Sequence, residues 1–375
     1  MGIHEHTSFC DLFSVPDAST LPGDQMVLAL DRRAFVLLGA LQAATGFQLS
    51  APTCSGVRLR AVARPPRAAQ RWLSMKKEAK ISKDETFGWT WDGTATRCFL
   101  TRQGEGLPGR VLLLPGMSSI STRNEMAPLQ ALLAKQFETV AVDWPGFGTN
   151  DKPRIGDSPD ANAAWLDHVL REVVQGPKAI VACGHAAGYV LRHFAGQKEN
   201  VPHMALVAPT WRGPLPTMMN GKRPDWLKSV RAAVGNPTVG QALYNLNMNE
   251  RVVEIMAKGH VYSDPTWLTP TRMDDKRQVT KAEGARFASV QFVTGGLDPF
   301  ETAYDAAAAA AAIPKDRLQL IWGEDTPRKS KAAMEALADA GGVRPVVLKR
   351  GKLGVHEEFP DEVAGVILSS IMPRA

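Results

Sequence analysis

Five residues near the middle of the chain, Gly184-His185-Ala186-Ala187-Gly188, have the spacing of a nucleophile's seat without the nucleophile. Lys178 to Cys183 is a short apolar run suited to a buried strand, and Ala187 to Ala195 continues as a helix. Two glycines four residues apart at such a junction let strand and helix pack closely around an exposed residue between them, and a serine there would attack a carbonyl. This chain places Ala186 at that centre. A methyl group has no proton to lose and no lone pair to give, so chemistry at this turn must come from another group or be absent.

Other chemistry-bearing residues stand at strand ends. Ser118, Ser119 and Ser121 follow the apolar run Val111 to Leu114 and supply hydroxyls. Asp143 closes the next apolar run, and Asp298 sits in Gly-Gly-Leu-Asp-Pro-Phe; both supply carboxylates. Each of these also has an ordinary reading as a helix cap or turn residue. His185 and His356 are the imidazoles to watch. Trp144, Phe147, Trp211, Met218 and Met219 are candidate walls of a pocket or cap, although large apolar residues more often fill a core.

The elements that would position these residues alternate regularly from about Thr86. Phe87, Trp89 and Trp91 alternate with polar residues and, with Thr94 to Thr101, predict an antiparallel hairpin. Strands are expected at Val111 to Leu114, Thr139 to Val142, Lys178 to Cys183, Met204 to Val207, Leu318 to Trp322 and Pro345 to Leu348. Helices are expected at Asn124 to Gln136, Asp160 to Val174, Glu301 to Ala312, Lys329 to Ala340 and Asp361 to Ile371. Strands alternating with helices predict an α/β fold with a mostly parallel central sheet and helices on both faces. The rhythm stops at about residues 210–299, where helical pieces such as Trp226 to Val234 and Arg251 to Lys258 are separated by Pro and Gly, as in a helical cap insertion.

Three motifs in this order resemble the α/β-hydrolase superfamily over roughly residues 87–373. LLLPGMSS is similar to the family's oxyanion strand and loop, DWPGFGTNDKP to its D-x-P-G-x-G turn, and GHAAG stands where the nucleophile elbow belongs. LVAPTWRGPLPTMM also resembles a group of plant and algal plastid proteins of this fold. The resemblance implies an oxyanion hole of two backbone N–H groups, from Met117 and Ala187. It puts the catalytic acid at Asp325, or at Glu324, because Trp-Gly-Glu-Asp is one residue shorter than the family's W-G-x-x-D. The E-x-P-e-e-v ending matches Glu358 to Val363, and the histidine position five residues earlier is Leu353. His356 then corresponds to a second, non-catalytic histidine, with a displaced base as its alternative. Losing any triad member leaves only about 10³- to 10⁴-fold catalysis over water.

The 375 residues, 44% of them hydrophobic, suffice for a large core. The net charge of +6 owes part of its excess to residues 32–77, which hold nine Lys or Arg and no acid. No basic stripe interleaved with aromatics follows, so nucleic-acid binding is not expected. Cys10, Cys54, Cys98 and Cys183 form no CxxC pair, which predicts neither a disulfide frame nor a zinc site, and no cofactor is expected. Arg32-Arg33 before the apolar run Ala34 to Gln48, followed by an Arg-, Ser- and Pro-rich, acid-free stretch, resembles the bipartite leader of an alga with a secondary plastid. Residues 1–85 are thus read as a targeting leader and extension and 86–373 as the folded domain. The expected location is a plastid, with mitochondrion or cytoplasm as alternatives, and no integral membrane span is expected after the leader.

The sequence therefore leads to a catalytically degenerate α/β-hydrolase fold that binds a small apolar molecule or a protein partner. The alternative is a hydrolase or lyase of the same superfamily that uses a relocated or non-serine group.

Overall fold

A computed structural model of the protein describes residues 84–155 and 158–372. The leader and extension assigned to residues 1–85 lie almost wholly outside these. The described residues open with the expected hairpin, β1 (Asp84–Trp91) and β2 (Thr94–Gln103). Asp92 and Gly93 join them with positive φ at both central positions, +46° and +74°. That is the backbone an Asp-Gly hairpin turn adopts to match strand twist.

Six further strands follow: β3 (Arg110–Leu114), β4 (Glu138–Val142), β5 (Ala179–Cys183), β6 (His203–Val207), β7 (Leu318–Gly323) and β8 (Val346–Leu348). The sheet order is β1-β2-β4-β3-β5-β6-β7-β8, antiparallel up to β4 and parallel from there on. Parallel strands read as continuous apolar runs because both faces are covered. On β5, Ile180 and Ala182 join one apolar cluster, while Ala179, Val181 and Cys183 join the cluster on the other face.

The covering helices are α1 (Ala127–Leu133), α2 (Pro159–His168), α3 (Ala186–Phe194), α10 (Ala303–Ala311), α11 (Arg328–Gly341), α12 (Val355–Glu358) and α13 (Pro360–Ile371). Between β6 and α10 runs a helical insertion of α4 (Pro214–Met218), α5 (Trp226–Gly235), α6 (Gly240–Asn247), α7 (Glu250–Met256), α8 (Pro270–Lys281) and α9 (Ala285–Val293). It carries a small core of its own, Val234, Tyr244, Ala285 and Val290.

The helix expected over Asn124 to Gln136 is split. A 3₁₀ turn, Arg123–Met126, is capped by the Thr122 hydroxyl, and the α-helix begins only at Ala127, with Pro128 in its first turn. Proline has no N–H to bond back into a preceding turn, so it starts a helix better than it continues one. The helix expected over Asp160 to Val174 is α2, which widens into a π-turn over Val169–Val173.

Candidate functional site

All the parallel strands end at one edge of the sheet, and the turn between β5 and α3 lies at its middle. Here the structure corrects the sequence reading. The left-handed residue of the turn is Gly184, with φ +54°. His185 already has helical φ and ψ of −67° and −24°, and Ala186 is the first residue of α3. Ala186, which a nucleophile elbow would hold in a strained turn, is thus an ordinary helical residue. The reason lies in side-chain cost: without a serine to present, the positive φ falls on the residue that adopts it freely.

The turn is stitched in place. Gly184 donates its N–H to the Val207 carbonyl (2.9 Å), and its own carbonyl accepts from Thr210 (3.0 Å) and Ala187 (3.2 Å). The Ala187 amide, expected to face an oxyanion, is therefore spent inside the turn. A Cβ on Gly184 would lie 3.7 Å from the Cα of Gly116, in the loop after β3. Gly188 serves contact instead: a Cβ there would come within 2.7 Å of the Pro299 ring and 3.1 Å of the Trp211 Cβ.

The loop after β3 is equally fixed. Trp144 Nε1 donates to the Pro115 carbonyl at 3.1 Å, and Met117 is buried. The hydroxyls of Ser118 and Ser121 bond one another at 2.8 Å. Asp143 receives the Arg123 amide (2.6 Å), the Arg123 guanidinium (2.6 Å), and the amide and hydroxyl of Thr149 (3.0 and 2.9 Å). It is a buried anchor that ties the end of β4 to the turn before α1.

His185 projects beside Leu297 and Asp298. Its Nε2 is 2.9 Å from the Leu297 carbonyl, which also accepts from the Tyr189 hydroxyl at 2.7 Å. Asp298 Oδ1 lies 3.8 Å from the same nitrogen, but this carboxylate is held by the Gly213 amide (2.7 Å) and Arg223 (2.8 Å). Burial lowers the His185 pKa and raises that of Asp298, and their mutual attraction only partly offsets it. The imidazole is thus neutral, with Nε2–H donating to Leu297. Trp144 packs against Trp165 and Tyr189 with ring centroids 4.8 and 5.3 Å away, and Trp211 is buried under the Arg212 guanidinium. Met218 and Met219 are half-buried at the end of α4.

At the β7 and β8 ends, Asp325 and Glu324 are both exposed. Asp325 hooks the next loop, accepting the Gly351 amide and donating its own to the Gly351 carbonyl, each at 3.1 Å. Leu353 packs half-buried against the larger apolar cluster, and its N–H reaches the His260 carbonyl of the insertion. His356 is buried on α12 with both ring nitrogens unpartnered, and burial drives its pKa down to about 4. Neither His185 nor His356 is hydrogen-bonded to Ser118, Ser119, Ser121, Asp143 or Asp298.

A second polar group, absent from the sequence reading, surrounds His356. Lys276 of α8 pairs with Glu125 at 2.8 Å, and the Tyr262 hydroxyl donates to Glu357 at 2.7 Å. Burial raises the Glu125 pKa; burial would lower that of Lys276, but Glu125 and Glu357 outweigh it and hold the ammonium charged. Between insertion and core runs a groove walled by Pro145, Ile155, Phe287, Ala288 and Leu297, with the exposed Arg154 among its lining residues.

A family model described as the alpha/beta hydrolase family matches residues 111–366. The chain belongs to that family. Comparison with curated proteins gives no match. Among solved structures, this alpha/beta hydrolase is similar to the enol-lactonase from Burkholderia xenovorans LB400 (TM-score 0.56, 15% identity, 76% of this chain and 99% of that one). It is also similar to a bromoperoxidase from Bacillus anthracis (TM-score 0.57, 14% identity, 76% and 99%) and to the epoxide hydrolase CorEH (TM-score 0.54, 17% identity, 76% and 98%). At such identities the likeness is one of fold, and the fold hosts several chemistries. No helix among the described residues is long and apolar enough to cross a membrane.

Proposed function

We propose that this alpha/beta hydrolase is non-catalytic, that it binds a small apolar ligand in the groove between helical cap and core, and that it works in a plastid. The observation that carries the first part is the strand-to-helix turn: its left-handed apex is Gly184, and Ala186 follows as an ordinary helical residue. Neither offers an attacking atom. Three further placements support the reading. Leu353 stands at the family's histidine position and packs into apolar surroundings. Asp325 is exposed and holds Gly351, while Asp143 is consumed by Arg123 and Thr149. The ligand part rests on the groove, in which Pro145, Ile155, Phe287, Ala288 and Leu297 are interrupted by Arg154, Asn162, Arg231 and Gln291; its cavity volume is about 30 Å³, so an apolar ligand would sit mostly in the open mouth with its polar end toward the arginines. The plastid part rests on the leader-like composition of residues 1–85.

Two measurements test this. The purified protein should turn over p-nitrophenyl esters no faster than buffer; enzymatic turnover removed by a single substitution at Ser118, Ser119 or Ser121 would favour the relocated-group enzyme instead. Native mass spectrometry of the protein from its source should show a retained small molecule, lost in Ala288→Trp, which fills the groove. A retained protein subunit in its place would make the ligand a partner chain.

A further inference from the structure

We infer that Glu125, His356 and Glu357 form a binding site for a divalent first-row transition cation, at which the Lys276 ammonium is a competing native cation. The three side chains come from the turn before α1 and from α12, and one ligand atom of each lies within 4.8 Å of the other two. Ligand atoms on a single ion at about 2.1 Å stand roughly 3 to 3.5 Å apart, so the set must close by about an ångström. Rotation of the two carboxylate side chains covers that distance.

The independent sign of a ligand is His356 itself. It is only 5% exposed, and neither ring nitrogen has a hydrogen-bond partner. A buried polar atom left without a partner costs about 1 to 3 kcal/mol, and buried imidazoles are ordinarily satisfied. A neutral imidazole with a free lone pair facing two carboxylates is the donor set that borderline ions such as Zn²⁺ and Co²⁺ take. The surroundings supply the outer shell: Tyr262 donates to Glu357 at 2.7 Å and so orients it.

Glu125 pairs with the Lys276 ammonium, and Glu357 lies in the field of both Lys276 and Arg272, so an incoming ion would compete with these two native cations. A divalent ion would balance both carboxylates and free Lys276 from Glu125. Because Lys276 and Tyr262 belong to the insertion while the ligands belong to the core, the ion would govern how firmly the insertion is fastened there. This site lies within electrostatic reach of Cys183, the residue before Gly184, shares no residue with the lining of the groove, and requires no catalytic step.

The test is a Co²⁺ titration of the 375-residue chain, read by the visible d–d band of the bound ion, followed by Zn²⁺ displacement. The wild type should take up one Co²⁺ per chain, and one equivalent of Zn²⁺ should bleach the band. His356→Gln should weaken uptake by about 100-fold or more, the loss expected for a ligand rather than a neighbour. Lys276→Met should tighten it by about tenfold or more, because a unit positive charge a few ångströms from the ion is removed. No band in the wild type, or a band that His356→Gln leaves unchanged, overturns the inference. The wild-type titration stands on its own should either variant fold poorly, which circular dichroism would show.

Discussion

Replacing Ala186 with glycine, and Gly184 with alanine, should both destabilise the protein, and the sign of the first change is the informative one. Ala186 is fully buried and opens α3 in an ordinary helical conformation. Glycine there frees the unfolded chain and removes a packed methyl, at a cost of about 1 kcal/mol. Were Ala186 instead the strained apex of a nucleophile elbow, glycine would relieve strain of about 1 to 3 kcal/mol and stabilise the fold. Gly184 has φ +54°, which costs an L-residue roughly 1 to 2 kcal/mol, and its added Cβ meets nothing closer than 3.7 Å. Gly184→Ala should therefore lose about that strain and no more. For a domain of roughly 290 residues, 1 to 2 kcal/mol corresponds to a fall in Tm of about 2 to 3 °C, readable by calorimetry. A rise in Tm for Ala186→Gly, or no change for Gly184→Ala, would refute the placement of the turn.

Asp143→Ala should cost about 3 to 5 kcal/mol in urea denaturation, because it leaves the fully buried Arg123 guanidinium with the exposed Asp84 as its one remaining charged partner beside the Thr149 hydroxyl; a loss below 1 kcal/mol would remove Asp143 from its anchoring role. For His185 the folded-state pKa is depressed by burial, so the unfolded chain takes up a proton first as pH falls below about 6.5. Its contribution is intact above that pH and is lost progressively toward the lower folded value, with a slope of at most about 1.4 kcal/mol per pH unit. Urea titrations of wild type and His185→Gln between pH 7.5 and 5 should show a shallower acid slope in the variant, and equal slopes would contradict the assignment. Residues 1–85 fused to a fluorescent protein should direct it to the plastid of an alga with a secondary plastid, and a diffuse signal would count against the leader reading.

Much of the fold was legible because its signals are local. The alternation of Phe87, Trp89 and Trp91 ahead of Thr94 to Thr101 announced the hairpin, and the apolar runs at 111–114, 139–142 and 204–207 became β3, β4 and β6 nearly residue for residue. The split at Pro128 was written in the sequence and passed over. The elbow was harder. With serine gone, small residues satisfy the motif in two registers, Gly184/Gly188 around Ala186 or Ala182/Ala186 around Gly184. Only the glycine's tolerance of positive φ favours the second. The Glu125, Tyr262, Lys276, His356 and Glu357 group had no sequence signal at all, since its members span some 230 positions and meet only through the packing of α8 and α12 against the turn before α1. Asp298 was visible as a carboxylate, but not that Gly213 and Arg223 would claim it.

Intact-mass analysis after exposure to a fluorophosphonate bears most directly on the claim that this member of the family has no reactive nucleophile. The account predicts an unmodified protein at reagent concentrations that fully label an active serine hydrolase. A stoichiometric adduct mapped to a single serine would contradict it.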